Sequence, residues 1–444
     1  MAARAAAAPT ATGVAKPTSR VRWTMAAWLL LPVTFVMSLD RTAMTVAAPA
    51  VQKAHDFSIS EMSFILTAFF WAYALFQVGG GWLAQRFGPR RTLALAGVWW
   101  SVFTFVTPYG SVFLVFVILR ILLGLGQAAD WPSSVLTLSR WFPKSEQSRG
   151  NSLLLAGLYA GNFIGTPLVA WIVAGLGWQW PFHIFAVVGL VLAVAWWWYV
   201  RDEPREHPRA SAAEVEHIES GRDDGGPKAQ LSWHAFIRSV QFWAVGLEYA
   251  FLLLIQGFFV TWLPTYLVQA RGISLTGMGI WGSLPWAAMI ICVFGSATVC
   301  DRLRLTWRIR VRIAMAGYFL AAALLVGGAL APGTVLTMTL LSLALGAVGV
   351  VQVQVWAACQ DLGGQYAGTV SGWTNLCGNL TGAAGPLFTG LLVGIGGNWA
   401  LALIIMAAAG ILGAVCWLFV HPERPLQPPA GTGSPAEPRT QSAS

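Results

Sequence analysis

Long apolar runs separated by short polar segments dominate the chain. A helix of about 20 residues crosses a hydrocarbon core of roughly 30 Å, and twelve runs are this long and almost free of charge. The runs are continuous rather than alternating and rich in Leu and Ala, which favours helices over the strands of a membrane barrel. The pattern predicts an all-α membrane protein. The twelve predicted spans are residues 24–50, 60–83, 93–112, 114–138, 151–175, 181–200, 240–268, 277–300, 311–331, 334–358, 367–393 and 397–420.

One long polar segment, rich in charge, Pro and Gly, divides these runs six and six. Equal halves joined by a linker are typical of transporters made of two parallel repeats, with the substrate site between the halves. We therefore predict two six-helix bundles joined by a linker and flanked by polar tails. The predicted domains are an N-terminal tail (1–22), an N-terminal bundle (23–200), a cytoplasmic linker (201–238), a C-terminal bundle (239–421) and a disordered C-terminal tail (422–444).

Composition and charge support a membrane location. Of the 444 residues, 56% are hydrophobic and 10% charged, and the mean hydropathy of +0.63 excludes an ordinary soluble protein. The 27 Lys and Arg are distributed unevenly: Lys53 and Arg271 fall in loops on one side, Arg41 and Arg120 fall within spans, and the other 23 lie on the opposite side. The positive-inside rule then predicts that both termini are cytoplasmic. The net charge of +9 therefore reflects topology rather than nucleic-acid binding.

Cysteine and histidine positions give no sign of a metal centre, a cofactor or a catalytic site. The five cysteines lack the spacing of a disulfide framework or a zinc site, and small buried apolar roles are expected for them. The six histidines are scattered, and no nucleophile motif appears. An intramembrane enzyme is therefore disfavoured, and we predict that the chain has neither enzymatic activity nor a cofactor.

Several motifs resemble the major facilitator superfamily, and within it the anion:cation symporter family of sugar-acid, hexuronate, phthalate and vesicular glutamate transporters. "GWLAQRFGPRR" is similar to the superfamily loop between the second and third helices, although Gln85 replaces its usual acidic residue. The more specific matches are "LDRTAMTVAAPAV", "FFWAYALFQVGGGWL", "WPSSVLTLSRWFPKSEQSRG", "EHPRASAAEVEHI", "FFVTWLPTYLVQARGIS" and "GTVSGWTNLCGNLTGAAGP". The resemblance covers most of residues 23–421 and implies the superfamily fold and transport of an organic anion.

Asp40 and Arg41 are adjacent in the first predicted span. Ionisable groups at this depth are costly and usually face a polar cavity. Neighbours on a helix point about 100° apart, so we expect the two side chains to have separate partners. The resemblance implies anion binding for Arg41 and proton coupling for Asp40. The alternative is an ion pair that only stabilises helix packing.

Arg120, Gln127 and Asp130 interrupt the fourth predicted span, in "RILLGLGQAADWPSS". The planar guanidinium of Arg120 suits a carboxylate, although a structural clamp between helices is an alternative. Where relatives carry a proton-coupling glutamate this chain has Gln127, and Asp130 replaces an asparagine. One hypothesis is that the proton site has moved to Asp130. The alternative is that Asp130 caps the helix or pairs with Arg140, and that coupling is lost.

Glu248 in the seventh predicted span has no obvious cation nearby in the sequence. Burial would make it a second protonation site, while an ion pair with an arginine of the linker or a loop is the alternative.

Uncharged polar side chains recur on single helix faces. Ser371, Asn375 and Asn379 recur every four residues and therefore share one helix face. The resemblance implies that asparagines here contact the substrate. The alternative is a ladder of interhelical hydrogen bonds, which would give the same spacing. Tyr73 with Gln77 forms a similar pair, and Tyr73 matches a substrate-contacting tyrosine of the family. Weaker candidates are Tyr159 with Asn162, and Gln352 with Gln354.

Together these features predict a carrier that imports an organic anion, such as a sugar acid or an aromatic acid, by proton symport and alternating access. The alternatives are a proton-driven antiporter of the same superfamily, an uncoupled carrier because Gln127 cannot titrate, and a sensor without transport activity. The expected partners are the anion, a proton and the bilayer. A monomer in a bacterial inner membrane is expected.

Overall fold

The computed structural model describes residues 19–222, 236–303, 306–363 and 367–421, and these ranges contain helices and no β-strand. The predicted helical membrane architecture is confirmed, and one further short helix, the linker helix, spans Ala212–Ser220. The long helices are α1 (Val21–His55), α2 (Ile59–Phe87), α3 (Pro89–Val106), α4 (Phe113–Trp141, made of Phe113–Gln127 and Asp130–Trp141), α5 (Lys144–Leu176), α6 (Trp180–Tyr199), α7 (Val240–Thr261, continued by Leu263–Gln269), α8 (Leu275–Leu303), α9 (Trp307–Leu330), α10 (Thr334–Gly363), α11 (Ala367–Gly396) and α12 (Trp399–Cys416).

Eleven of these helices are long and apolar enough to cross a membrane, within the ranges that the structure describes. The remaining one is α3, whose 18 residues include Arg90 and Arg91 in the first turn. It begins four residues earlier than predicted because Pro89 suits the first turn of a helix, where no backbone N–H is needed. It ends six residues earlier than predicted, in a 3₁₀ turn at Thr107–Tyr109 that contains Pro108.

Contacts group the chain into two units, each made of separated stretches. The first unit comprises residues 1–50 and 71–226, and the second comprises residues 51–70 and 227–444. The grouping follows packing rather than chain order. The domain boundaries given above therefore stay predictions.

In the first unit, α5 packs closely on α1 along a row of glycines. A Cβ atom added at Gly157 would lie 2.6 Å from the carbonyl oxygen of Leu31, and one at Gly161 would lie 2.8 Å from that of Phe35. These positions are four residues apart and share one face of α5. Only glycine lets the two backbones approach this closely, so the row fixes α1, which carries Asp40 and Arg41, against α5.

Helix α4 is broken in the middle of the membrane-spanning segment. A turn at Ala128 and Ala129 separates its two segments, and Asp130 begins the second one. Gly80 of α2 lies against this break, since a Cβ atom there would be 2.6 Å from the Cα atom of Ala129. The break therefore places an acidic residue at an internal helix start, where a negative charge interacts favourably with the helix dipole.

The ends of α3 and α6 cap one another. Asp202 Oδ1 accepts a hydrogen bond from the backbone N–H of Arg90 at 2.9 Å, which satisfies the start of α3. The guanidinium of Arg90 donates to the backbone oxygen of Trp197 at 2.7 Å, near the end of α6. An anion at a helix start and a cation at a helix end both interact favourably with the helix dipole. The two hydrogen bonds therefore stabilise the contact between α3 and α6.

Residues 201–222, here called the linker cap, pack onto the first unit. Arg22 of α1 bonds Glu214 of the linker helix at 2.9 Å and Glu146 of α5 at 3.0 Å. Arg22 is 4% exposed and Glu214 is 0% exposed, so this is a buried ionic cluster. More than half of the predicted linker is therefore fixed to the first unit.

Candidate functional site

Asp40, Arg41 and Gln127 form a connected polar group inside the first unit. Gln127 Nε2 donates to Asp40 Oδ2 at 3.4 Å, and Arg41 Nε donates to Gln127 Oε1 at 3.3 Å. Asp40 and Arg41 were expected to have separate partners, but both contact Gln127, because an amide offers a donor and an acceptor at opposite ends. Gln127 therefore joins an acid to a cation without itself carrying charge.

Tyr73 supports the guanidinium of Arg41. The guanidinium carbon lies 4.4 Å from the centre of the Tyr73 ring, which is a cation–π distance. Gln77, one turn later in α2, donates to the Tyr73 hydroxyl at 3.3 Å. Tyr73 is buried, whereas Arg41 and Gln77 are half-buried. The predicted pair of α2 is thus adjacent to the predicted anion-binding arginine.

Arg120 and Asp130 complete the charged group of the first unit. Arg120 is 1% exposed, and electrostatic interactions link it to both Asp40 and Arg41. Asp130 is 0% exposed and interacts electrostatically with Arg41. One half-buried guanidinium group, one buried guanidinium group and two buried carboxyl groups therefore lie in one helical unit.

Asp130 does not pair with Arg140. Its Oδ1 accepts a weak hydrogen bond from Ser134 at 3.5 Å, and its Oδ2 has no hydrogen-bond partner within the described ranges. Arg140 instead lies 3.6 Å from Glu203 of the linker cap. The ion pair with Arg140 is therefore not observed, while the position of Asp130 at the start of the second segment of α4 fits both a relocated proton site and a helix cap.

Tyr159 and Asn162 lie on α5, and Asn162 contacts α1. Tyr159 is 3% exposed. Asn162 accepts a hydrogen bond from Thr42 at 3.4 Å and donates to the carbonyl oxygen of Leu158 at 3.1 Å. Asn162 thus supports the helix turn that follows Arg41, and a direct substrate contact by either residue stays a prediction.

The remaining predicted positions belong to the second unit. Ser371, Asn375 and Asn379 are half-buried along α11, as their spacing predicted. Gln352 of α10 is 8% exposed, and Gln354 is fully buried and donates to Cys300 Sγ at 3.3 Å. Gln354 is therefore a packing residue.

Glu248 of α7 is also fully buried, and its partner is a tyrosine. Tyr318 of α9 lies 3.0 Å from Glu248 Oε2. None of the ion pairs in the described part of the chain includes Glu248, so the predicted pairing with an arginine is not observed there.

Three contributors to these sites were not predicted from the sequence. The break of α4 has a local signal in Pro132, which has no N–H for the carbonyl of Ala128 four residues earlier, and a tertiary contact in Gly80 of α2. The partnership of Tyr318 with Glu248 joins positions 70 residues apart. The contact of Gln127 with both Asp40 and Arg41 depends on the packing of α4 against α1.

The charged group can bind a proton and an anion. The Oδ1 atom of Asp40 and the Oδ2 atom of Asp130 are buried without hydrogen-bond partners among the described residues, so each is an oxygen at which the acid could accept a proton. Protonation of either acid would leave an excess of positive charge on Arg41 and Arg120, which favours an incoming carboxylate.

A family model matches most of the chain. Residues 30–386 match the model described as Major Facilitator Superfamily. The match includes most of α1, all of α2 to α10 and the polar face of α11, and these parts of the chain contain every predicted site residue.

Named relatives are similar over most of their length. The chain is 30% identical to the probable galactarate/D-glucarate transporter of Bacillus subtilis, over 92% of this chain and 93% of that protein. It is 28% identical to the probable sulfoacetate transporter of Cupriavidus necator, over 87% and 91%. It is also 28% identical to the hexuronate transporter of Bacillus subtilis, over 89% and 93%. These relatives transport organic acids, as the resemblance in the motifs implied.

The fold is similar to that of a bacterial homologue of the human lysosomal transporter Spinster. The two structures agree with a TM-score of 0.69 over 90% of this chain and 95% of that one, at 17% identity. This agreement confirms the fold predicted from the apolar runs.

Proposed function

Because the chain belongs to the major facilitator superfamily, we propose that it is a secondary active transporter that imports a small organic anion with a proton. The named relatives support an organic acid as the substrate class. The membrane we propose is a bacterial inner membrane, with both termini cytoplasmic and the protein acting as a monomer.

The observation that carries the proposal is the group of two arginines and two buried carboxyl groups in the first unit. Arg41, which contacts the ring of Tyr73, would bind a substrate carboxylate. Arg120 would supply the second positive charge, which balances the carboxylate of Asp40. Ser371, Asn375 and Asn379 of the second unit would donate to and accept from the hydroxyl groups of the substrate.

Proton coupling would follow from charge balance. With Asp40 and Asp130 ionised, the group is nominally neutral; with one of them protonated, it carries one positive charge. A proton and an anion would then each favour binding of the other, and together they would favour the closed state of an alternating-access cycle.

A thermal-shift experiment on the purified protein tests the anion site. Galactarate, D-glucarate, sulfoacetate and a hexuronate are the ligands, and galactitol, which has hydroxyl groups but no carboxylate, is the matched control. A ligand at about 100 times its Kd stabilises the folded state by about 2.7 kcal/mol. At least one acid should raise the melting temperature, galactitol should not, and Arg41→Gln should abolish the shift. Equal shifts by the acids and galactitol would refute an anion site.

An uncoupled organic-anion carrier is the second candidate, because Gln127 occupies the position of the family glutamate. Uptake into proteoliposomes separates the two. A symporter accumulates the acid above the outside concentration when the outside is more acidic, whereas an uncoupled carrier only equilibrates it.

A further inference from the structure

Glu248 and Tyr318 form a closed hydrogen-bonded pair inside the second unit. Both side chains are 0% exposed. Tyr318 Oη lies 2.6 Å from the backbone carbonyl oxygen of Glu248 and 3.0 Å from Oε2 of the same residue. Both distances are those of hydrogen bonds between oxygen atoms. The tyrosine hydroxyl therefore bonds the main chain and the side chain of one residue at once.

A tyrosine hydroxyl carries one proton, so Tyr318 can donate a full hydrogen bond to one of these two oxygens and at most a shared, weaker one to the other. The shorter contact assigns this proton to the backbone carbonyl of Glu248, which can only accept. A second full bond forms when the carboxyl group donates its own proton to a lone pair of Tyr318 Oη. A carboxyl group that donates is a neutral carboxylic acid.

The charges around the carboxyl group favour the same form. The titratable side chains that interact electrostatically with Glu248 are Tyr318 of α9, Cys359 of α10 and Cys416 of α12. Each of these is neutral or negative and none is a cation. Glu248 Oε1 is buried without a hydrogen bond, and the indole of Trp417 faces the carboxyl group but does not reach hydrogen-bond geometry. An ionised carboxylate without a cation is strongly unfavourable in such a site.

Packing holds the tyrosine in place. A Cβ atom added at Gly413 of α12 would lie 2.6 Å from Tyr318 Cζ, so the helix backbone lies directly against the ring. The hydroxyl group therefore has little freedom to leave Glu248, and α7, α9 and α12 meet at this pair.

We propose that Glu248 is a resident neutral acid: its proton stays on the carboxyl group throughout transport and bonds α7 to α9. Glu248 is then a positioning residue for the second unit and does not carry the coupled proton. The neutral form of Glu248 is independent of the proposed transport function, because it concerns a group buried within one unit, while the statement about the coupled proton rests on that function.

Infrared difference spectroscopy tests the proposal without substrate or transport. The wild-type spectrum minus that of Glu248→Gln should contain the carbonyl band of a protonated carboxylic acid, unchanged from mildly acidic to mildly alkaline pH. Glu61→Gln is the matched control: Glu61 accepts from the backbone N–H of Ser58 at a loop, so its subtraction should give a carboxylate band at neutral pH. A carboxylate band in the Glu248→Gln difference at neutral pH would overturn the proposal.

Variants add a second measurement. Glu248→Gln keeps a donor for Tyr318 Oη, so it should melt close to the wild type and keep the pH dependence of uptake. Tyr318→Phe leaves the carbonyl and the acid of Glu248 without their partner and should lower the melting temperature by roughly 2–5 °C. A well-folded Glu248→Gln variant that loses the pH dependence of uptake would overturn the proposal and make Glu248 a coupling residue.

Discussion

At the scale of single residues, Gln127 and Asp130 are the most informative positions. An amide at position 127 can connect Asp40 with Arg41 but cannot gain or lose charge. Asp130 supplies a second buried carboxyl group three positions later, at the break of α4. The total of acids and arginines therefore equals that of a chain with glutamate at position 127 and asparagine at position 130, but one of the acids lies at a helix start.

Substituting Asp130 by Asn tests whether this acid carries the coupled proton. A pH difference of one unit is worth about 1.4 kcal/mol per proton, or about tenfold in accumulation. Asp130→Asn should lose this accumulation in proteoliposomes while it keeps exchange of labelled for unlabelled substrate. Accumulation that is unchanged in Asp130→Asn would exclude the relocated proton site.

The double variant Gln127→Glu/Asp130→Asn is the control for that experiment. It moves the carboxyl group back to position 127 and keeps the net charge. Recovery of gradient-driven uptake in the double variant would separate loss of coupling from damage to the fold.

The residues of the candidate site could be named from the sequence, but their partners could not. An arginine or an aspartate in an apolar run is conspicuous because its burial is expensive. The contact between Gln127 and Asp40 depends on how α4 and α1 pack, and that packing is set by side chains spread over both helices. For the same reason, Glu248 was expected to have an arginine as its partner, whereas its partner is Tyr318 of α9.

At the scale of helices, the close contact of α5 with α1 positions the charged residues of α1. The glycine row of α5 leaves room for the backbone of α1, and Ser38 Oγ of α1 donates to the carbonyl oxygen of Leu158 at 3.0 Å. Asp40 and Arg41 follow directly on α1. A change in the spacing of these helices should therefore affect the site as well as stability.

Gly161→Ala should destabilise the protein. The added methyl group would lie 2.5 Å from Ser38 Cβ and 2.8 Å from the backbone oxygen of Phe35, so the helices must separate. Overpacking of this kind costs about 1–3 kcal/mol. A lower melting temperature and weaker ligand binding are expected.

Gly175→Ala in the same helix is the matched control. A Cβ atom there meets nothing within 4 Å, so this variant should melt at or slightly above the wild-type temperature. Equal effects of the two substitutions would show that helix propensity, rather than the contact with α1, determines the result.

Helix existence was predictable, whereas some helix ends and the break of α4 were not. The length of an apolar run indicates whether a helix can cross the hydrocarbon core, and this length can be read from the sequence without knowledge of the packing. The register of α3 depends on local effects of Pro89 and Pro108. The break at Ala128 and Ala129 combines a local effect of Pro132, which leaves the carbonyl of Ala128 without its helical partner, with the close crossing of Gly80, which is a tertiary effect.

At the scale of the whole molecule, each unit combines a helical bundle with segments that a division by chain order would assign elsewhere. In the first unit the added segment is the linker cap. Its ionic cluster is buried, and Ser211 caps the linker helix by accepting from the backbone N–H of Glu214. The cap also contains His207, whose ring packs on Tyr199 and Trp141.

The linker cap should loosen in acid. Burial, together with the positive charge of Arg201, holds the pKa of His207 below its ordinary value, and His207 Nδ1 accepts from the backbone N–H of Arg209. His207 therefore binds a proton more readily when the cap is undocked, so stability is complete above about pH 6.5 and falls as the pH decreases below it. Hydrogen exchange of the linker helix, corrected for its intrinsic pH dependence, should become faster below that pH.

Two variants identify the responsible group. His207→Phe should abolish the acid effect, because phenylalanine keeps the aromatic packing and does not titrate. His217→Gln should not abolish it, because His217 contacts Glu146 at 3.1 Å and a glutamine amide can still donate to that carboxylate. An acid effect that survives in His207→Phe would contradict the assignment. The other charged groups that act on His207 are Arg209 and Glu214.

The docked linker helix also offers a rigid handle for imaging. On its buried side, Glu214 pairs with Arg22 of α1. On its outer side, Glu219 pairs with Arg205 of the same cap. A nanobody or a fused scaffold that recognises this outer side would inherit the orientation of the first unit. For a membrane protein with so little polar surface, such a handle would supply the mass outside the micelle that particle alignment in electron cryomicroscopy requires.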